Sequence, residues 1–518
     1  MKRSNTSTFL LELPLRTDAG QAKRLAAHLE VGRCFYNNLL GEARRRLSRM
    51  RNDPAWPLAR TIRSKSERHA AYQALRTRYD FSEYALHRYA TTQRVHWLAE
   101  HLDSNTAQKL ASRAYQAVNR VCLGQAKHVR FKSRGRGLDS VEGKSNTSGL
   151  RFTLQDPTDG NAGFLQWQGD RIEASINWQD PVVAHGLRHR VKYCRLLRRR
   201  ASSARCQGAD THGYRYCVQL VLEGAPYQKP KHAPGPDTIG LDIGPQTLAI
   251  VSQEQEARLI TFCDELRPNA RERRRLQRRL DRQRRANNPE HYDEQGRCKP
   301  GRKRWKESRN SQKTRRRLAA QERRLAAYRK SLHGRLAHEI VQIGTTITIE
   351  KTSYKGWQRR FGRSIGLRAP GMFVAHLTRT VAKTGGLLRE VSAFDTRLSQ
   401  YCHGCGCYVK KPLSQRWHHC PCGIGPVQRD LYSATLLAFL PQTSLIPSMA
   451  PERWAGVETR LTLAMEGVQQ RASGRASVPT SMGIPYERAR QRKSLVPTRQ
   501  EPSLLCYRRN RVEALVTA

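Results

Sequence analysis

The stretch "IGLDIGPQTLAI" (residues 239–250) decides the reading of this chain. Ile239, Leu241 and Ile243 alternate with Gly240, Asp242 and Gly244, and Leu248 and Ile250 resume the apolar pattern. Period-two alternation broken by Gly-Pro predicts a β-strand, a tight turn and a second strand. Asp242 stands inside the first strand. Taken alone, it reads as a turn or capping residue at a sheet edge. A carboxylate buried in a core costs several kcal/mol unless it is paired or bound to a metal, so the rest of the chain must say which it is.

Charge is the strongest compositional signal. The chain has 518 residues, with 94 Lys+Arg against 43 Asp+Glu, a formal net charge of +51. Such a surplus implies a polyanionic partner, and long contact with many nucleic-acid phosphates is the natural one. With 38% hydrophobic residues the chain carries enough apolar material for roughly three or four domains. No apolar run of membrane-spanning length and no signal peptide is read, so a cytoplasmic, nucleoid-associated protein with no membrane partner is expected. Of 13 cysteines, five fall between Cys402 and Cys422, which points to one local metal site rather than a disulfide framework.

Along the chain, "TFLLELPL" (8–15) reads as a strand, and a helical period runs from about Asp18 to Leu47. Residues 60–125 are predicted to be mostly helical. Alternating segments within 150–223 predict an antiparallel β-domain, read as a small barrel. The basic loop "KHVRFKSRGRG" (127–137) interleaves one aromatic with cations, which suits backbone contact with base stacking. Arg130, Phe131, Lys132 and Arg134 are its candidate nucleic-acid contacts; a merely solvated loop is the competing reading.

Residues 271–335 hold 25 Lys/Arg against 7 Asp/Glu. That imbalance is too large for an ordinary solvated face. Leu276 and Leu280 at i, i+4, and Leu318, Leu325 and Leu332 at sevens, predict a helical hairpin with a narrow apolar seam and a cationic exterior. Arg274, Arg275, Arg278 and Arg279 are candidate phosphate contacts. A further strand is read at 343–350, ending on Glu350, another within 385–402, and a helix opening at Asp430. Beyond residue 441 periodicity fades, and 441–518 is predicted to be a basic, disordered or loosely attached tail.

"CHGCG" (402–406) and "CPCG" (420–423) are two cysteine knuckles 14 residues apart. Two thiolates on each of two tight turns complete a tetrahedron around Zn²⁺. The second knuckle is the shortened C-x-C, so Cys407, His418 and His419 stay open as substitutes beside Cys402, Cys405, Cys420 and Cys422. A closed four-sulfur site staples a loop and catalyses nothing. Asp242, Glu350 and Asp430 each follow or interrupt an apolar segment. Three hard oxygen donors converging on one point suit Mg²⁺ or Mn²⁺, and two such ions can flank a scissile phosphate.

The order of "IGLDIGPQTLAIVS", the Arg-rich hairpin, "ITIEKTSYKGW", "DTRLSQYCHGCG", "CPCG" and "RDLYSATLLA" resembles the TnpB nucleases of transposons and their relatives, the compact type V CRISPR effectors. "LPLRTDAGQAKRLAAHLEVGRCFYNNLL" (13–40) and "RFKSRGRGLDSVEG" (130–143) are similar to N-terminal motifs of the same group. The resemblance covers about residues 8–440. It implies a multidomain α+β protein. An antiparallel β-barrel wedge domain would take 1–16 and 125–235, with a helical recognition domain inserted at 17–124. A split RuvC nuclease domain of RNase H-like α/β fold would take 236–440, carrying the basic hairpin (268–335) and a zinc ribbon (400–425). It implies that Asp242, Glu350 and Asp430 are catalytic and bind Mg²⁺, and that the ribbon falls on Cys402, Cys405, Cys420 and Cys422. The implied partners are a guide RNA and target double-stranded DNA cut next to a short motif. A guided repressor of the same fold and an unguided zinc-ribbon DNA-binding regulator or transposase are the rival expectations.

Overall fold

The computed structural model describes residues 7–134, 137–155, 162–200, 213–412, 414–442, 444–447, 449–473 and 479–483. The chain divides into two compact units, residues 1–227 and 228–518.

The first unit opens on β1 (Thr8–Pro14) and continues into α1 (Ala19–Asn52). Asp18 caps α1: its side chain accepts from the Gln21 amide at 2.7 Å, and Gln21 returns the bond to the Asp18 amide. Five shorter helices follow: α2 (Ala55–Thr61), α3 (Lys65–Arg78), α4 (Glu83–Gln93), α5 (Trp97–His101) and α6 (Ser104–Cys122). Leu25, Leu29, Leu39 and Leu40 of α1 and Leu110, Ala111 and Ala114 of α6 are buried in one core. The strands β2 (Ser140–Glu142), β3 (Arg151–Leu154), β4 (Gly163–Trp167) and β5 (Asp170–Ala174), the helix α7 (Pro181–Leu187), and β6 (Val191–Arg200) and β7 (Tyr214–Glu223) complete the unit. Strands pair as β1-β7-β6-β2 and β3-β4-β5, both antiparallel. These are two open sheets joined through the bridge Leu15–Ala174, and among the described residues their hydrogen bonding traces no closed ring, unlike the single barrel expected from the alternation. Alternation fixes which side of a strand is buried; it leaves open whether a sheet closes.

The second unit is built on β8 (Asp237–Ile243), β9 (Thr247–Ser252), β10 (Ala257–Thr261), β11 (Gly344–Lys351) and β12 (Leu387–Ser392), ordered β10-β9-β8-β11-β12. The first three are antiparallel, and β11 and β12 run parallel to β8. Between β10 and β11 stand α8 (Ala270–Asn287) and α9 (Arg309–Ile343), which pack together as a hairpin. Its seam is narrow: Leu276 and Leu332 are buried, while Leu280, Leu318 and Leu325 are only half-buried. Asn288 holds the far end, donating to the carbonyls of Arg284 and Lys306 and accepting from the Lys306 amide. The last turns of α9 enter the core through Leu336, Ala337 and Ile340.

After β11 come α10 (Tyr354–Arg368) and α11 (Pro370–Lys383), then β12 and the short α12 (Ala393–Thr396). A two-stranded ribbon, β13 (Trp417–His418) and β14 (Val427–Gln428), runs straight into α13 (Arg429–Ala438). The sheet has two faces. Ile239, Leu241, Ile243, Ile347 and Ile349 pack with α9 and α11, whereas Ala249, Val251 and Leu259 pack with α13 and the final helix, α14 (Pro451–Ser473).

That last helix corrects the expectation of a disordered tail over 441–518. Trp454, Val457, Leu461, Met465 and Val468 are buried, at spacings of three and four that put them on one face. The stripe was hidden among polar residues and flanked by Pro and Ser-rich segments. Arg460 donates to the carbonyls of Gln253 and Glu254, and Arg471 to that of Leu259, fastening the helix along the β10 edge. Residues 484–518 of the expected tail lie outside the described residues.

Candidate catalytic and metal centres

The pleat answers why a carboxylate sits in β8. Successive side chains of a strand point to opposite faces. Ile239, Leu241 and Ile243 face α9 and α11, so Gly240 and Asp242 face α13. On β11 the same rule sends Ile347 and Ile349 one way, and Thr348 and Glu350 the other. Leu241 pairs with Ile349 in parallel register, so Asp242 and Glu350 stand one step beyond, on the same face of neighbouring strands and at their carboxyl ends.

The third carboxylate comes from the helix laid over that face. A methyl group on Gly240 would lie 1.9 Å from the Ala434 carbonyl oxygen and 2.4 Å from the Ala438 amide nitrogen. Only glycine lets α13 approach so closely. Asp430 occupies the first turn of that helix, 8% exposed, one turn before Ala434. The helix is capped by the Gln428 side chain, which accepts from the Leu431 amide at 2.8 Å. Thr247 at the start of β9 donates to Asp430 Oδ2 at 3.3 Å.

The electrostatics follow. Burial, then the charges of Asp430 and Glu350, push the Asp242 carboxyl well above the usual range. Burial raises Glu350 and Asp430 too. Arg429 and Arg416 act against the shift at Asp242 and Asp430, but Arg429 Nε is 3.9 Å from Asp430 Oδ1, at the limit of an ion pair. Repulsion among these carboxyls is what a hard divalent cation relieves, although among the described residues only the four cysteines already bring their ligand atoms together as one metal group. The donor set is all oxygen, which fits Mg²⁺ or Mn²⁺ rather than a thiophilic metal. Thr247, Arg416, Arg429 and Tyr354, whose hydroxyl is raised to about 12 by burial with the charges of Glu390 and Asp242 contributing, were not singled out from sequence. Thr247, Tyr354 and Arg429 lay within quoted motifs without being assigned a role; nothing marked Arg416 before the fold brought it there.

The sulfur ligands converge separately. The Sγ atoms of Cys402, Cys405, Cys420 and Cys422 all lie within 4.8 Å of one another. Cys402 and Cys422 are 3.5 Å apart, and Cys405 and Cys420 3.6 Å. A tetrahedron with Zn–S near 2.3 Å has edges of about 3.8 Å, so the set fits zinc. The C-x-C knuckle supplies both sulfurs to this cluster. His418 instead stacks on Tyr432, with ring centroids 4.2 Å apart, and His419 is exposed. Tyr432 joins the two centres: its hydroxyl accepts from the His403 amide in the first knuckle at 3.0 Å, while its backbone belongs to the helix that carries Asp430.

The candidate nucleic-acid contacts fall in two places. In the first unit the basic loop is pinned to α1 through its backbone: Arg33 and Asn37 donate to the Lys132 carbonyl, and Asn37 accepts from the Lys132 amide. Phe131 is left 49% exposed with the Arg44 guanidinium 5.3 Å from its ring centre. Arg134 lies 3.9 Å from Glu30, and Arg130 contacts His128. In the second unit Arg274, Arg275, Arg278 and Arg279 are all exposed on α8, and Arg275 pairs with Glu272. Arg274 also lines a groove of about 810 Å³ between α8, α9 and α10, beside Arg273, Arg329 and Arg363.

No protein-family model and no curated protein matches the chain. It is similar in structure to a Cas12f1–single-guide RNA–target DNA complex, at 13% identity and a TM-score of 0.45, over 84% of this chain and 99% of that one. It is also similar to a CRISPR–Cas12f ternary complex, at 12% identity and a TM-score of 0.26, over 84% of this chain and 87% of that one. No described helix is long and apolar enough to cross a membrane.

Proposed function

We propose that this protein is an RNA-guided DNA endonuclease with a RuvC-type site. The observation that carries the proposal is that Asp242 and Glu350 stand on one face of neighbouring strands and Asp430 on the helix packed over that face. The order β10-β9-β8-β11-β12, with three antiparallel strands followed by two parallel ones, supports an RNase H-like reading of the second unit. The first unit, with its helices within 17–124 and its strands on either side, is read as the recognition and wedge domains. The net charge of +51 supports a partner as large as a guide RNA with its DNA heteroduplex.

In this reading Asp242 and Glu350 hold divalent ions from rigid strands, and Asp430 closes the set from a helix fixed by Gly240, Gln428 and Thr247. When bound, such ions supply an activated water and stabilise the leaving 3′ oxygen. Arg416 and Arg429 add positive charge where a phosphodiester would enter. Cys402, Cys405, Cys420 and Cys422 hold a structural zinc.

The first measurement is to purify the protein from its native locus and sequence the RNA that accompanies it. Repeats with varied spacers indicate a CRISPR guide, and a single RNA reaching into a transposon end indicates a TnpB-like guide. Absence of enriched RNA overturns the guided reading. With the guide in hand, Mg²⁺-dependent cutting of matched duplex is expected, and its loss in Asp242→Ala or Glu350→Ala with binding retained. Guided binding without any cutting would instead make the protein a repressor of the same fold.

A further inference from the structure

A second aromatic and cationic site lies in the first unit, away from the basic loop. A groove of about 720 Å³ opens between the ends of α1, α2, α3 and α6, within the size range of small-ligand sites. Trp56 and Tyr72 form its apolar wall, edge to face with ring centroids 4.9 Å apart, and both are half-buried. Arg51, Arg60 and Arg76 line the same groove, and no carboxylate does. None of the three makes an ion pair among the described residues, although many arginines of this chain do.

Helix capping accounts for part of this. Arg51 donates to the Val121 carbonyl at 2.8 Å, and Arg76 to the Tyr115 hydroxyl and the Asn119 side chain, both at 2.9 Å. The Arg51 bond caps the carbonyl end of α6, whereas Arg76 binds side chains of α6 and lies 5.2 Å from the Phe81 ring centre. These bonds consume few of the ten N–H groups that two guanidiniums offer, and they explain neither Arg60 nor the aromatic pair. A ring wall beside guanidiniums without ion pairs, in a groove that no carboxylate lines, matches a ligand that is flat and apolar at one end and anionic at the other.

We propose that this groove holds one unpaired nucleotide of a bound strand, its base against Trp56 or Tyr72 and its phosphate against Arg51 and Arg60. The proposal requires that the protein bind nucleic acid, as in the function proposed above, and does not require that it cut. The strand is RNA or DNA, and the test separates them.

The full-length protein is cross-linked in EDTA to 12-nucleotide single strands carrying 4-thiouridine (RNA) or 4-thiothymidine (DNA), and the attached peptides are mapped by mass spectrometry. Cross-links to the peptides bearing Trp56 or Tyr72 are expected, and the strand type with the higher yield there identifies the source. Trp56→Ala should weaken saturable occupancy of this site roughly 5- to 150-fold. Arg60→Gln, at an exposed position that cannot disturb the core, should also weaken it, with a shallower salt dependence. Cross-links elsewhere on the protein serve as the internal control. Their presence with none at Trp56 or Tyr72, or yields at those peptides unchanged in Arg60→Gln, overturns the proposal. Failure of cutting in Mg²⁺ leaves this result untouched, so the two readings fail separately.

Discussion

Asp242 is placed where the fold gains least from it. A carboxyl whose folded pKa lies above its unfolded value stabilises the fold while protonated, and that contribution is lost as pH rises through the folded value. The shift at Asp242 is upward, from burial and from Asp430 and Glu350. Near neutral pH without a cation the trio is therefore a cost. Asp242→Asn should raise the melting temperature of the metal-free protein while abolishing cutting. The wild type should gain more than the variant when Mg²⁺ is added. Melting curves in EDTA and in Mg²⁺ check this; a variant that melts lower and gains equally would refute the cluster as a cation site. Gly240 is the opposite kind of residue, silent in chemistry and exacting in space. Gly240→Ala places a methyl 1.9 Å from a helix carbonyl, so α13 must move. A loss of about 3 kcal/mol and of cutting is expected by denaturant titration and cleavage assay.

At the scale of elements, the ribbon and α13 behave as one piece. β14 ends at Gln428, which caps the helix, and Tyr432 returns to the first knuckle. Removing a bound metal should therefore displace Asp430, although none of the four knuckle cysteines belongs to the carboxylate group. Cys402→Ser is expected to lower zinc content on elemental analysis and to reduce cutting at least 10-fold, in line with losses seen when metal-site partners are removed. Unchanged zinc would take Cys402 out of the ligand set. The final helix is as closely involved. Residues 430–438 of α13 are buried on every side, which the sheet alone cannot achieve. Trp454 supplies part of the cover, 4.5 Å from His403 and 5.9 Å from Tyr432 between ring centroids. A chain ending at residue 446 loses six buried apolar side chains among the described residues, on the order of 10 kcal/mol of burial. It should melt far lower or precipitate; a melting curve like that of the full chain would show α14 to be dispensable.

Across the whole molecule, the net charge of +51 makes the proposed nucleic-acid binding salt-dependent. If the two basic regions and the groove near Trp56 contact phosphates together, binding should fall about 10³- to 10⁵-fold between 50 and 200 mM salt. Filter binding across a salt series measures this, and a shallow slope would limit the contact to a few phosphates. Much was legible without a structure. Alternation placed β1, β8, β9 and β11, and the charge-laden leucine periods placed the hairpin of α8 and α9. The cysteine spacing marked four sulfurs that do converge. Each of these is a local property: period, spacing or composition, written within a few tens of residues. Tertiary structure decided the rest, because proximity between distant segments is not a local property. It put Asp242 and Glu350 on one sheet face with Asp430 on the helix above it, brought Thr247 and Arg416 beside them, kept His418 out of the sulfur cluster, and seated α14 on a core its own sequence does not announce. The sequence by itself determined which residues were candidates for the chemistry; packing of a helix on Gly240 determined that three of them stand together.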